Sequence, residues 1–153
     1  MEVEIVLRQL GAADVDAVAR VEKICFTDPW SRESLNHDIL ENPAAFYLGA
    51  FVDETLLGFG GMWVTMEDSF ITTISILPEY RGNGAGSFLL STLMDTARAL
   101  GAMDMTLEVR VSNLVAQRMY AAHGFTAIGV RKKYYPDNGE DAFVMWCPLS
   151  IAP

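Results

Sequence analysis

Residues 81 to 86 read Arg-Gly-Asn-Gly-Ala-Gly. Three glycines in six residues let the backbone come close to a bound group and turn several N–H groups toward it. A helical pattern follows at once, and the first turn of a helix adds unpaired N–H groups and partial positive charge. Such a loop suits an anion, phosphate above all. It is not a Walker A loop, which would end in Gly-Lys-Ser or Gly-Lys-Thr. A dinucleotide fingerprint begun at Gly82 meets Ser87 where its third glycine belongs, and one begun at Gly84 meets Leu89. The pattern Arg/Gln-x-x-Gly-x-Gly/Ala is satisfied by Arg81, Gly84 and Gly86. A plain glycine-rich turn fits the same six residues equally well. Cys25, Cys147, His37 and His123 form no metal-ligand spacing, so no metal is expected. Nothing suggests the oxidising compartment that a disulfide would need, and each cysteine reads as a small apolar residue.

The elements that must position this loop can be read from periodicity. Residues 3–10 read as a strand, and 12–26 as a helix with Val15, Val18, Ala19 and Cys25 roughly on one face. Pro29 disfavours helix just before it, and Ser31 is a good N-cap for a short helix ending near Asn42-Pro43. Residues 44–51 and 55–66 read as strands joined at Asp53-Glu54, and 70–77 as a third strand rich in β-branched residues. A loop over 78–86 leads into a helix over 87–100, closed by Gly101. A strand over 105–111, a helix capped by Ser112 and running to Ala122, and strands over 125–135 and 141–149 complete the chain. The expected order is β-α-α-β-β-β-α-β-α-β-β, an α/β class domain with a mixed sheet and helices on its faces.

The 153 residues fit one domain, taken as 1–153. With 51% hydrophobic and 20% charged residues the composition is that of a globular protein. No apolar run approaches the roughly 20 residues of a membrane-spanning helix, and MEVEIVLRQL lacks the basic flank of a signal peptide. The expected setting is therefore cytoplasmic, with no membrane partner. A net charge of −9 disfavours direct binding to nucleic acid and favours a basic peptide or cationic amine, although such acidity also simply serves solubility.

The downstream context adds to the loop. LPEYRGNGAG (77–86) is followed by LEVRVSNLVAQRMYAAHGF (107–125), read as strand, cap and helix. CFTDPWS (25–31) precedes them and KKYYPDNGEDA (132–142) follows. With these segments in this order, the chain resembles the GCN5-related N-acetyltransferase (GNAT) superfamily, and most closely its ribosomal-protein alanine N-acetyltransferase (RimI) type. The resemblance runs from Val3 to about Leu149, and it implies a GNAT-like single domain with a mixed, mostly antiparallel twisted sheet.

The resemblance implies acetyl-CoA as cosubstrate. The backbone of Gly82, Asn83, Gly84, Ala85, Gly86 and Ser87, headed by Arg81, would hold its pyrophosphate. Ile74, Ser75 and Ile76 would pair with the pantetheine amides, as in strand addition, and Asn113 would contact the coenzyme. Glu108 matches the family's general base and Tyr120 its general acid. An α-amino group has a pKa of about 7.7–8.0, so a base helps to free it, and a departing thiolate gains from a proton donor. Without the resemblance, Glu108 would pass for a surface carboxylate and Tyr120 for a packing residue. Phe26, Pro29 and Trp30, with Tyr134 and Tyr135, would flank the mouth that receives a protein N-terminus. Asp137, Glu140 and Asp141 would suit a basic partner, and a hairpin turn at Asn138-Gly139 explains the same stretch more simply. The implied acceptor is the N-terminus of a basic ribosomal protein starting with alanine or another small residue. A small-molecule amine acetyltransferase and a non-catalytic coenzyme-binding module are the alternatives. Phe70 and Thr73 depart from the polar residues expected near the acceptor channel. Neither cysteine falls in the catalytic or coenzyme motifs, so direct transfer in a ternary complex is expected over a cysteinyl intermediate.

Overall fold

A computed structural model describes residues 4–149. Val3, the first residue of the expected opening strand, lies outside the described residues. The observed strands are β1 (Val6–Gln9), β2 (Ala45–Val52), β3 (Thr55–Thr65), β4 (Asp68–Ile76), β5 (Asp104–Arg110), β6 (Thr126–Arg131) and β7 (Ala142–Pro148). The α-helices are α1 (Val15–Cys25), α2 (Arg32–Glu41), α3 (Ala85–Ala99) and α4 (Leu114–Ala122). Their order is the one periodicity predicts, in a mixed, mostly antiparallel α/β architecture. Among the described residues no helix is long and apolar enough to cross a membrane.

Two compact units are present. One holds the residues up to Trp63 together with Thr72–Leu93; the other holds Val64–Ile71 together with Met94 onward. In the first, β1, β2, β3 and the later half of β4 are neighbours in that order, and β1/β2 and β2/β3 are antiparallel. Its core gathers Val18 and Val21 from α1, Leu35 from α2, Tyr47 and Phe51 from β2, and Leu56 and Phe59 from β3. Val18 and Phe59 are fully enclosed. Ser31 caps α2 as expected, its hydroxyl accepting from the Ser34 N–H at 3.1 Å.

In the second unit the first residues of β4 run parallel to β5, from Asp68↔Asp104 to Phe70↔Thr106. β7 then lies antiparallel between β5 and β6. The alternation of β5 decides what this unit can do. Met105, Leu107 and Val109 are buried, so Thr106, Glu108 and Arg110 share the opposite face.

Several boundaries lie one to four residues from those expected, and two of the differences have a visible cause. Asn113, not Ser112, caps α4, accepting from the Ala116 N–H at 3.1 Å. The Ser112 N–H instead donates to Glu140 at 2.7 Å. The strand expected over 125–135 stops at Arg131. There Lys133 takes φ +52, and its N–H donates to Asp141 at 2.9 Å, which turns the chain into a loop.

Candidate functional site

In the first unit the glycine loop leaves β4 through a short 3-10 turn, Pro78–Tyr80, and ends at the start of α3. Gly82 and Gly84 adopt φ of +82° and +86°, which side-chain-bearing residues rarely hold. A Cβ added at either would meet no atom within 4 Å, so the loop opens onto free space. Asn83 bends over the helix start, its Oδ1 accepting from the Ala85 N–H at 3.3 Å. The Phe88 N–H donates to Gly84 O at 2.9 Å and closes the first turn of α3 directly behind the loop. Such an arrangement fits a phosphate-bearing group.

Arg81 does not project outward alone. Its Nε donates to the Ile76 carbonyl at 2.8 Å, and its guanidinium lies 3.8 Å from Cys25 Sγ. Arg81 thus ties the loop to the end of β4, and of the three strand residues Ile74, Ser75 and Ile76, the last already uses its carbonyl. Ser75 is buried, with its Oγ 2.9 Å from Thr73 Oγ1. Phe26, Pro29 and Trp30 form an exposed turn between α1 and α2. The Trp30 N–H donates to buried Glu22 at 3.1 Å. Burial raises the Glu22 carboxyl pKa, and that hydrogen bond opposes the rise.

The second unit brings Glu108, Tyr120, Tyr134 and Tyr135 together. The Glu108 side chain is only 9% exposed, and its Oε1 accepts from Arg131 Nε at 3.0 Å. Arg131, at the end of β6, thereby fixes the direction of the carboxylate. Tyr120 lies buried on α4, edge-on to Phe125 with ring centres 5.8 Å apart. Its burial, with a lesser contribution from Tyr135, pushes the phenol above its ordinary range, so it keeps its proton. Tyr134 and Tyr135 pack edge to face at 5.0 Å. Burial pushes Tyr135 up to about 12 despite the nearby Arg110, and burial followed by Glu108 raises Tyr134.

Arg110 packs on one of these rings. Its guanidinium lies 3.9 Å from the centre of the Tyr135 ring and bonds Asp137 at 2.8 Å and Glu140 at 3.3 Å. Lys132 and the Lys133 N–H occupy Asp141. Ser112 holds Glu140 below the usual carboxylate range, and the Lys133 N–H does the same for Asp141. Asp137, Glu140 and Asp141 are therefore engaged by the unit's own cations and N–H groups, as the hairpin reading of this stretch expects. Sequence reasoning also missed Arg110 and Arg131. Arg110 stands two residues after Glu108 on one strand, hence on the same face, and that spacing was the available signal.

The description of the GNAT acetyltransferase family matches residues 15–125. A Bacillus subtilis (strain 168) candidate ribosomal protein bS18-alanine N-acetyltransferase is 41% identical over 150 residues, covering 98% of this chain and 99% of that protein. The Mycobacterium tuberculosis N-alpha-acetyltransferase RimI is 35% identical over 142 residues, covering 89% and 87% respectively. The crystal structure of the ribosomal-protein-S18-alanine N-acetyltransferase from Escherichia coli superposes with a TM-score of 0.90 at 26% identity, covering 98% of this chain and 97% of that one. The chain belongs to the GNAT acetyltransferase family, and within it to the ribosomal-protein-alanine N-acetyltransferase (RimI) type.

Proposed function

We propose that this protein, acting as one domain over 1–153, transfers the acetyl group of acetyl-CoA to the α-amino group of a protein N-terminus. The acceptor is a ribosomal protein of the bS18 kind that begins with alanine or another small residue, as the names of its relatives suggest. The observation that carries the reading is Glu108. It is a nearly enclosed carboxylate, oriented by Arg131 and accompanied by phenols that retain their protons.

Acetyl-CoA supplies the thioester. The backbone of Gly82–Ser87 binds its pyrophosphate, and Ile74, Ser75 and Asn113 support the coenzyme. The positive φ values of the loop and the open space before it support this assignment. At neutral pH much of an α-amino group is protonated and cannot attack. Glu108 accepts that proton, directly or through a water. Its ion pair engages Oε1, which leaves Oε2 to receive it. The amine nitrogen then bonds to the acetyl carbon as the carbon–sulfur bond breaks, and the second proton it sheds passes through solvent to restore the Tyr120 phenol once that has protonated the sulfur. Tyr120 donates its proton to the sulfur, which departs as a thiol. Phe26, Pro29, Trp30, Tyr134 and Tyr135 cover the first residues of the acceptor. The overall negative charge favours approach by a basic N-terminal segment.

A peptide library with varied first residues, incubated with acetyl-CoA and read by mass spectrometry, tests this reading. Acetylation concentrated on peptides starting with Ala and other small residues is expected. Turnover on polyamines or aminoglycosides with none on peptides would reject it.

A further inference from the structure

We propose that a cavity formed by α2 and the end of β3 binds the cationic tip of a flexible alkyl chain, an alkylammonium or guanidinium. The cavity has a volume of about 480 Å³ and is lined by Trp30, Glu33, His37, Asp38 and Trp63 among others. This size falls in the range of small-ligand pockets.

Asp38 is the reason for assigning a cation. Its residue is 4% exposed, and three neutral groups donate to its carboxylate: the Tyr47 hydroxyl, Asn42 Nδ2 at 2.7 Å, and Trp63 Nε1 at 3.0 Å from each oxygen. No Lys or Arg among the described residues pairs with it. A buried carboxylate ordinarily has a cationic partner, because neutral donors satisfy its lone pairs but leave its charge uncompensated. A cation supplied from outside the chain would compensate that charge.

The walls have the matching chemistry. Trp30 is 42% exposed and Trp63 half-buried, and indole faces attract ammonium and guanidinium groups. The hydrogen bond from Nε1 to Asp38 holds the Trp63 ring in register with the carboxylate. Glu33 adds a second carboxylate that no described cation pairs. His37 is engaged with Glu41, at 2.7 Å. One long aliphatic stem with a charged end satisfies the indoles and Asp38 at once.

Such a group could be a Lys or Arg side chain of the acceptor or a free polyamine. The binding arm of the test stands alone, and the kinetic arm rests on the acetyl-transfer reading. In the kinetic arm, kcat/KM is compared for Ala-initiated peptides carrying Lys or Arg and for the same peptides carrying norleucine or citrulline. In the binding arm, spermidine is titrated calorimetrically into the full chain. Asp38→Asn and Glu33→Gln are the variants, each checked by thermal unfolding. Glu33 is exposed, so its variant is informative even if Asp38→Asn fails to fold. A preference for cationic peptides of about tenfold that collapses in the variants assigns the cavity to the acceptor, about 1.4 kcal/mol of recognition. Spermidine binding that weakens in the variants, with no peptide preference, assigns it to a free polyamine. No difference between wild type and variants with either probe overturns the proposal. Failure of all peptides to turn over would sink the acetyl-transfer reading and still leave the spermidine arm to decide the cavity.

Discussion

Replacing Gly84 by alanine isolates the backbone contribution of the candidate phosphate loop. At φ +86° the new methyl meets no atom within 4 Å, so the substitution introduces no clash and its cost is purely conformational. Holding an alanine in the left-handed region costs roughly 1–2 kcal/mol. The chain can retain its shape and lose stability, about 2–8 °C in Tm at some 2–4 °C per kcal/mol. It can instead relax the loop to negative φ and lose the coenzyme-binding conformation, which weakens acetyl-CoA by about 5- to 30-fold. The two losses, measured by thermal unfolding and by acetyl-CoA titration, should together account for the full strain. Gly11 supplies the control, since it sits at φ −141° with nothing within 4 Å of an added Cβ. Gly11→Ala should equal or slightly exceed the wild type in stability. Gly84→Ala with unchanged Tm and unchanged acetyl-CoA affinity would refute the reasoning.

Other perturbations probe the second unit and the helix that follows the acceptor turn. Tyr120→Phe keeps the ring packing against Phe125 and should lower kcat by roughly 10²-fold or more. Because burial raises the Tyr120 pKa above its unfolded value, its neutral form contributes stability that is complete below about pH 10 and declines above it, where the unfolded phenol ionises. Denaturant titrations of wild type and Tyr120→Phe between pH 8 and pH 11, both values chosen to bracket roughly that pKa, should therefore diverge only at the alkaline end. Arg110→Ala removes the cation shared by Asp137, Glu140 and the Tyr135 ring, so peptide KM should rise several-fold with little change in acetyl-CoA affinity, and Arg110→Lys should restore only part of it. Ser31→Ala removes the cap of α2 and should cost about 1 kcal/mol in chemical denaturation.

What the sequence revealed and what it hid divide along one physical line. Local patterns were legible. The alternation of Met105, Leu107 and Val109 announced a half-buried strand, and the position of Ser31 announced a helix start. Whatever depends on partners distant in sequence was not. Ser112 and Asn113 are both good caps, and the choice fell to Asn113 while the Ser112 N–H went to Glu140, 28 residues away. The strand through Tyr135 looked continuous, but Asp141 ends it by binding both Lys132 and Lys133. The carboxylates of the 132–141 loop looked like a docking surface because Arg110, which neutralises two of them, lies on another strand. Asp38 gave no signal at all, since Trp63, its partner across 25 residues, reads simply as a strand aromatic. Glu108 and Tyr120 were singled out by the family resemblance and not by their spacing, whereas Arg131, which orients the Glu108 carboxylate, emerged only from the folded strands.

The decisive measurement is the pH profile of single-turnover acetylation of an Ala-initiated peptide, with acetyl-CoA saturating, in wild type and in Glu108→Gln. The variant should bind acetyl-CoA normally and be slowed most where the α-amino group is largely protonated, below about pH 7.7–8.0. The gap should narrow as the amine loses its proton to solvent. Two profiles that run parallel across this range, or coincide, would contradict a role for Glu108 as the base.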